Sequence, residues 1–127
     1  MPEAFDSQLM RGVLTLALLE TLAAAESYGF EIVLRLRAAG LDVAEGSVYP
    51  ALTRLERAGL LTSRLVASTS GPARKYYALS GAGERARVAA RASWRRVSGA
   101  LQRLDPDQSV PDATAPAVAN PPTEDTP

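Results

Sequence analysis

Residues 46–59 read Gly46-Ser47-Val48-Tyr49-Pro50-Ala51-Leu52-Thr53-Arg54-Leu55-Glu56-Arg57-Ala58-Gly59, and the fold turns on this stretch. At about 100° per residue, Val48, Ala51, Leu52, Leu55 and Ala58 share one side of a helix. The other side carries Tyr49, Pro50, Thr53 and Arg57, flanked by Arg54 and Glu56. Proline lacks an N–H and sits without cost only in a first helical turn, so Pro50 predicts a start near Ser47, whose hydroxyl suits an N-cap. Gly59 is the expected stop, because glycine accepts the left-handed conformation after a helix. Aromatic, hydroxyl and guanidinium groups on such a front are those that meet phosphates and base edges in a major groove. An ordinary amphipathic surface helix has the same pattern, and the neighbouring segments decide between the two.

Upstream, Ser7 to Ala25 is apolar on almost every side, through Leu9, Met10, Val13, Leu14, Leu16, Ala17, Leu18, Leu19 and Leu22. That pattern predicts a helix buried all round, in a core or between subunits, with residues 1–6 frayed ahead of it. Ser27 is expected to cap a second helix from Tyr28 to about Ala39, closed by Gly40. Phe30, Val33, Leu34 and Arg37 take one of its sides, Ile32 and Leu36 another. Gly29 in its first turn lowers helix propensity, which implies close approach by a neighbouring helix. Leu41-Asp42-Val43 is β-prone and is expected to add a minimal strand.

Downstream the period changes from helical to alternating. Leu61–Ala67 and Arg74–Leu79 read as two strands, and Ser68–Ala73 as a turn-rich tip between them. Three helices followed by a basic hairpin predict an α+β, mostly α, winged helix-turn-helix over residues 7–80. Ser80 caps a last helix over residues 81–104, where Ala90, Trp94, Val97, Leu101 and Leu104 alternate spacings of four and three. A narrow apolar seam of that kind predicts a dimerisation helix that packs on a second copy of the chain. Residues 105–127 hold six of the nine prolines and five acids, and read as a disordered tail.

The chain of 127 residues has a formal net charge of zero, but the charge is unevenly placed. All 14 Lys and Arg lie in residues 1–104 against nine acids there, a net +5 that suits a polyanion partner. There is no cysteine and no histidine, which removes disulfides, thiolate chemistry, Cys/His metal sites and His-based triads. No glycine-rich phosphate loop and no spaced carboxylate cluster argues for an enzyme, and no cofactor is expected. The N-terminus has no basic run before an apolar core, so it is not expected to be a signal peptide. The run Leu9–Ala25 contains Arg11 and Glu20 and is too short to span a bilayer. These features predict a soluble, cytoplasmic protein.

The order of motifs resembles the PadR family of bacterial transcriptional regulators. The pieces that carry the resemblance are Arg11-Gly12-Val13-Leu14, Tyr28-Gly29-Phe30-Glu31-Ile32, Glu45 to Glu56, Gly59-Leu60-Leu61, Gly71-Pro72, Arg74-Lys75-Tyr76-Tyr77-Ala78-Leu79-Ser80 and Gly83. Ser-x-Tyr-Pro-Ala-Leu together with Arg-Lys-Tyr-Tyr is the specific combination, and the match spans roughly residues 9–104. A single C-terminal helix is similar to that of the small members. The resemblance implies a homodimer whose last helix reaches across to the other subunit. It also implies repression at a pseudo-palindromic operator of double-stranded DNA, relieved by a small molecule. The acidic, proline-rich tail departs from the pattern.

On these grounds Ser47, Tyr49, Thr53 and Arg57 are the expected groove-facing residues, with Arg54, Arg74 and Lys75 on phosphates. Arg11 is a weaker candidate, since an Arg on an apolar helix also snorkels. Tyr28, Tyr76 and Tyr77 read as packing residues, and one of the adjacent pair Tyr76/Tyr77 must face the core. Trp94, Val97 and Leu101 form the expected dimer interface. There the single Trp either fills the seam or offers a platform for a neutral or anionic planar aromatic effector. The competing reading is a winged helix used as a protein-interaction adaptor, docking an acidic partner without specific DNA binding.

Overall fold

The computed structural model describes residues 2–107. In chain order it contains α1 (Pro2–Ala24), β1 (Ser27–Tyr28), α2 (Gly29–Ala38), α3 (Glu45–Arg57), β2 (Leu61–Ser68), β3 (Gly71–Leu79) and α4 (Gly81–Leu104). The strands form one antiparallel sheet in the order β1-β3-β2. The chain divides into two compact units, Met1–Arg91 and Ala92–Pro127, so the division falls within α4.

The core of the first unit is one apolar cluster. Leu14, Leu18, Leu19 and Leu22 of α1 meet Ile32, Val33 and Leu36 of α2 and Val48, Ala51, Leu52 and Leu55 of α3. Val43, Leu61 and Tyr77 complete it. Each fully buried leucine contributes about 1.5–3 kcal/mol relative to exposure, so the helical trio is held by its facing stripes more than by intrinsic propensity.

The minimal strand is Ser27–Tyr28, where a cap was expected, and Leu41-Asp42-Val43 forms no strand. Ser27 pairs with Tyr77 across the sheet and is buried. Its hydroxyl accepts a hydrogen bond from Arg35 Nη1 at 2.5 Å and donates to the Ala25 carbonyl at 3.2 Å. A buried hydroxyl satisfied in this way has no need of a helix terminus. The cap position of α2 falls to Tyr28, whose N–H donates to Glu31 Oε1 at 3.4 Å. Val43 instead anchors the connection to α3: its side chain is buried and its carbonyl accepts from Arg37 Nε at 3.1 Å.

Two helix starts also differ from expectation. Helix α1 begins at Pro2, five residues before Ser7 and with proline in the first helical position, where its missing donor costs nothing. Helix α3 begins at Glu45 with Ala44 as its N-cap, so Ser47 lies inside the first turn and Pro50 is the sixth helical residue. The carbonyl that Pro50 leaves without an intrahelical donor is that of Gly46, which lies in an exposed first turn.

The helix ends agree with the sequence. Gly40 and Gly59 have φ of 101° and 82°, in the left-handed region expected after α2 and α3. Ser80 caps α4: its Oγ accepts from Gly83 N at 3.0 Å and donates to the Gly59 carbonyl at 2.6 Å. Gly83 packs directly against the carbonyl oxygen of Leu60.

Helix α1 is not buried all round within one chain. Leu9 is exposed and Val13 and Leu16 are half-buried, while the opposite stripe fills the core. In α2, Phe30 and Leu34 are exposed and Ile32, Val33 and Leu36 are buried. Of the expected disordered tail, Asp105 to Asp107 end the described chain in a turn, with Asp107 N donating to Asp105 Oδ1 at 2.9 Å. The rest of the tail lies outside the described residues.

Candidate nucleic-acid interface

Helix α3 buries Val48, Ala51, Leu52 and Leu55 and exposes Ser47, Tyr49, Pro50, Thr53, Arg54 and Arg57. Ala58, assigned to the apolar side by period, is exposed at the C-cap. Glu45 in the first turn and Arg54 and Arg57 in the last complement the helix dipole. Among the described residues no carboxylate lies within ion-pair distance of Arg54 or Arg57. Their charge faces solvent.

Tyr49 is only 37% exposed, because its ring lies over the first turn of α2. A Cβ at residue 29 would collide with the ring edge, with Cδ1 at 3.2 Å and Cε1 closer still. This is the close approach that the glycine implied. Burial pushes the Tyr49 phenol above its ordinary pKa, assisted by Glu45 and Tyr77, so the hydroxyl stays a donor through the neutral range. Thr53 Oγ1 donates to the Tyr49 carbonyl at 3.2 Å, which leaves its oxygen free to accept.

The hairpin extends further than its sequence suggested. Strand β2 continues to Ser68 and β3 starts at Gly71, so the tip is Thr69-Ser70. Arg74 is therefore four residues into β3, and a register irregularity between Val66 and Ser68 bends the ladder beside it. The Arg74 guanidinium stacks 4.5 Å above the Tyr28 ring centroid. Lys75 points the other way: its Nζ lies 3.1 Å from Glu56 Oε1 and 5.4 Å from the Tyr77 centroid. The two expected phosphate contacts thus sit in different settings, one a stacked cation and one a cation already holding a carboxylate.

Tyr77 is in the core and Tyr76 on the outer face, edge-on to Tyr28 at 5.3 Å. Arg64 lies over that pair, 5.8 Å from the Tyr76 centroid, and clasps Glu26 through two hydrogen bonds of 2.7 Å. Arg64 and Glu26 were not singled out in the sequence. They are 38 residues apart, and only the register that sets Arg64 opposite Tyr76 brings them together.

Gly29, Phe30, Tyr49, Arg74 and Lys75 line an open cleft of about 470 Å³ between α2, α3 and the wing. A smaller one, about 210 Å³, places Arg11 beside Asp42, Ala44 and Ser47 at the start of α3. Arg11 thus lies at the same end of α3 as Ser47. Trp94, Val97 and Leu101 lie on the second unit's stretch of α4 and are 42%, 54% and 57% exposed. Among the described residues no cluster of carboxylates could hold a metal ion, and no helix is long and apolar enough to cross a membrane.

Residues 18–89, from the core of α1 through α3 and the wing into α4, match the model of the transcriptional regulator PadR-like family. The chain belongs to that family. Two solved structures are each 36% identical. The PadR-like transcription factor from Bacteroides fragilis has a TM-score of 0.67 and the match covers 80% of this chain and 99% of that one. The PadR-like regulator from Bacillus cereus has a TM-score of 0.69, with 76% and 95% covered. A PadR family regulator from Eggerthella lenta is 29% identical with a TM-score of 0.74, covering 80% and 89%. No curated protein matches the chain. As a PadR-like regulator the chain is a DNA-binding winged helix, and the family is one of regulators rather than enzymes.

Proposed function

We propose that this PadR-like protein is a homodimeric, cytoplasmic repressor that binds a pseudo-palindromic operator and leaves it when a small planar aromatic ligand binds. The exposed front of α3 carries the reading. It presents Ser47, Thr53, Arg54 and Arg57 outward, on a helix whose back is fixed in the core. In this reading α3 enters the major groove, with Arg57, Ser47 and Thr53 toward base edges and Arg54 on a phosphate. Tyr49 contributes its hydroxyl from a ring braced on Gly29. Arg74, held flat on Tyr28, meets the adjacent backbone, and Lys75 adds a second cation from the other face of β3, next to Glu56.

The second copy docks along Trp94, Val97 and Leu101, a seam that one chain leaves exposed. Burying three such side chains on each subunit removes them from water at about 25 cal/mol per Å². Two recognition helices related by a dyad then reach successive grooves about 34 Å apart. Trp94 is the platform for the aromatic ligand. No acid lies between Arg85 and Leu104, so a neutral or anionic compound suits this helix better than a cationic one.

Selection of duplexes from a random pool by the full chain tests this. An inverted repeat with half-sites about 10 bp apart is the expected product. Binding that lacks any sequence preference, and that is insensitive to Arg57→Ala, would favour the adaptor reading.

A further inference from the structure

One carboxylate in the DNA-binding unit joins three elements. Glu56 projects from the last turn of α3, between buried Leu55 and exposed Arg57. Its Oε2 accepts from Ser63 Oγ of β2 at 2.5 Å, and its Oε1 holds Lys75 Nζ of β3 at 3.1 Å. Ser63 and Lys75 lie on the same face of the hairpin, two residues apart along the register that also contains Tyr77. Both oxygens are thus engaged by the wing.

Charge alone gives Glu56 no reason to favour DNA. A carboxylate at the end of a helix that meets phosphates repels them. The pair is also partly exposed, at 31% and 47%, and surface ion pairs add little stability. What this carboxylate does supply is geometry. Two directed bonds from adjacent strands fix the wing at one distance and one rotation from α3.

We propose that Glu56 is a positioning residue that sets the spacing between the recognition helix and the wing, and so governs sequence discrimination. This rests on the DNA-binding reading above for its functional consequence, but the clamp itself is a property of the free chain. A site is read well only when helix and wing meet the groove and the neighbouring backbone together, and a wing that wanders still finds phosphates. Loss of the clamp therefore costs specific binding and spares non-specific binding. Lys75 belongs to this clamp as much as to the phosphate contacts.

Glu56→Gln tests the clamp against its simplest rival. Glutamine keeps the acceptor for Ser63 and loses the charge that holds Lys75. If Glu56 were merely a repulsive acid, the variant would bind selected and random duplexes more tightly in parallel. The clamp gives the opposite sign for the selected duplex: affinity falling about tenfold, with random-duplex affinity unchanged or raised, read by fluorescence anisotropy. Glu26→Gln, which breaks the other wing ion pair, serves as the matched loss of one acid. Equal effects from the two variants would overturn the proposal.

A second measurement needs no DNA. The chain has no cysteine, so Ala58→Cys and Ser70→Cys provide two clean spin-label sites, one at the end of α3 and one at the hairpin tip. The distance distribution should broaden on adding Glu56→Gln, and an unchanged distribution would overturn the clamp. If it broadens while the parent chain selects no duplex, the clamp stands and the DNA reading falls.

Discussion

The ring of Tyr49 occupies the space that a side chain at Gly29 would need. One residue opens α2 and the other lies on the exposed front of α3, so their contact fixes how the two helices of the reading head cross. Gly29→Ala must displace the ring. Although alanine favours a helix by about 1 kcal/mol over glycine, overpacking costs about 1–3 kcal/mol, and the net effect should be destabilising. Urea denaturation should show a lower midpoint for Gly29→Ala. Adding Tyr49→Ala should recover part of the loss, and purely additive effects would show that the two residues are not coupled.

A sharper test of the same kind lies at Gly83. It is in the first turn of α4, where alanine would again be favoured by propensity. Here the atom in the way is the Leu60 carbonyl oxygen, which belongs to backbone and cannot swing aside. Gly83→Ala should lower stability by about 2 kcal/mol or more, within the range seen for forced overpacking and backbone shifts. Gly81→Ala is the control, since only the far end of Arg85 lies near its absent Cβ, at 3.7 Å. It should be neutral or stabilising by thermal melting.

Acid should weaken the fold in a defined window. Ser63 and Lys75 hold the Glu56 carboxyl below its ordinary value of 4.5, Arg64 does the same for Glu26, and Arg87 for Glu84. These folded values are depressed, so the stability they add is complete above the unfolded value and is lost as pH falls below about 4.5 through the folded ones. The groups are exposed and screened, and the loss should be small and should shrink in high salt. With no histidine to titrate, the melting temperature should be flat between pH 5 and 8 and should decline as pH falls below about 4.5, most clearly in low salt. A step near pH 6.5 would contradict this assignment.

Much of this arrangement was legible because it is periodic. Val48, Ala51, Leu52 and Leu55 recur at helical spacing, and that alone placed the back of α3 in the core and its front in solvent. Alternation placed the hairpin, and adjacency in a strand required Tyr76 and Tyr77 to face opposite ways. What escaped depends on non-local partners. Ser27 has the chemistry of a cap, yet pairing with Tyr77 and the donation from Arg35 make it a buried strand residue. The start of α3 was misplaced because Pro50 tolerates a sixth position when its orphaned carbonyl is solvent-facing. Glu56 looked like a flanking acid, since nothing local reveals that Ser63 and Lys75 converge on it.

The exposed seam of α4 makes a prediction about assembly. Leu101→Asp adds a charge where two copies are proposed to meet, and desolvating it on association costs several kcal/mol. Sedimentation of the parent chain at micromolar concentration should give a dimer, and the variant a monomer with its melting behaviour changed. A monomeric parent would refute the proposed dimer.

The contact between Gly83 and Leu60 has a mechanical consequence. Ser80 Oγ grips the Gly59 carbonyl, Ser80 N donates to Leu60 O at 3.1 Å, and the Gly83 backbone rests on the same peptide. The first turn of α4 and the turn that ends α3 therefore meet through two hydrogen bonds and one close backbone contact, all inside the first unit. The start of α4 is thereby keyed to the peptide that follows α3. A side chain introduced at Gly83 would press first on the turn that closes α3, next to Glu56 and Arg57.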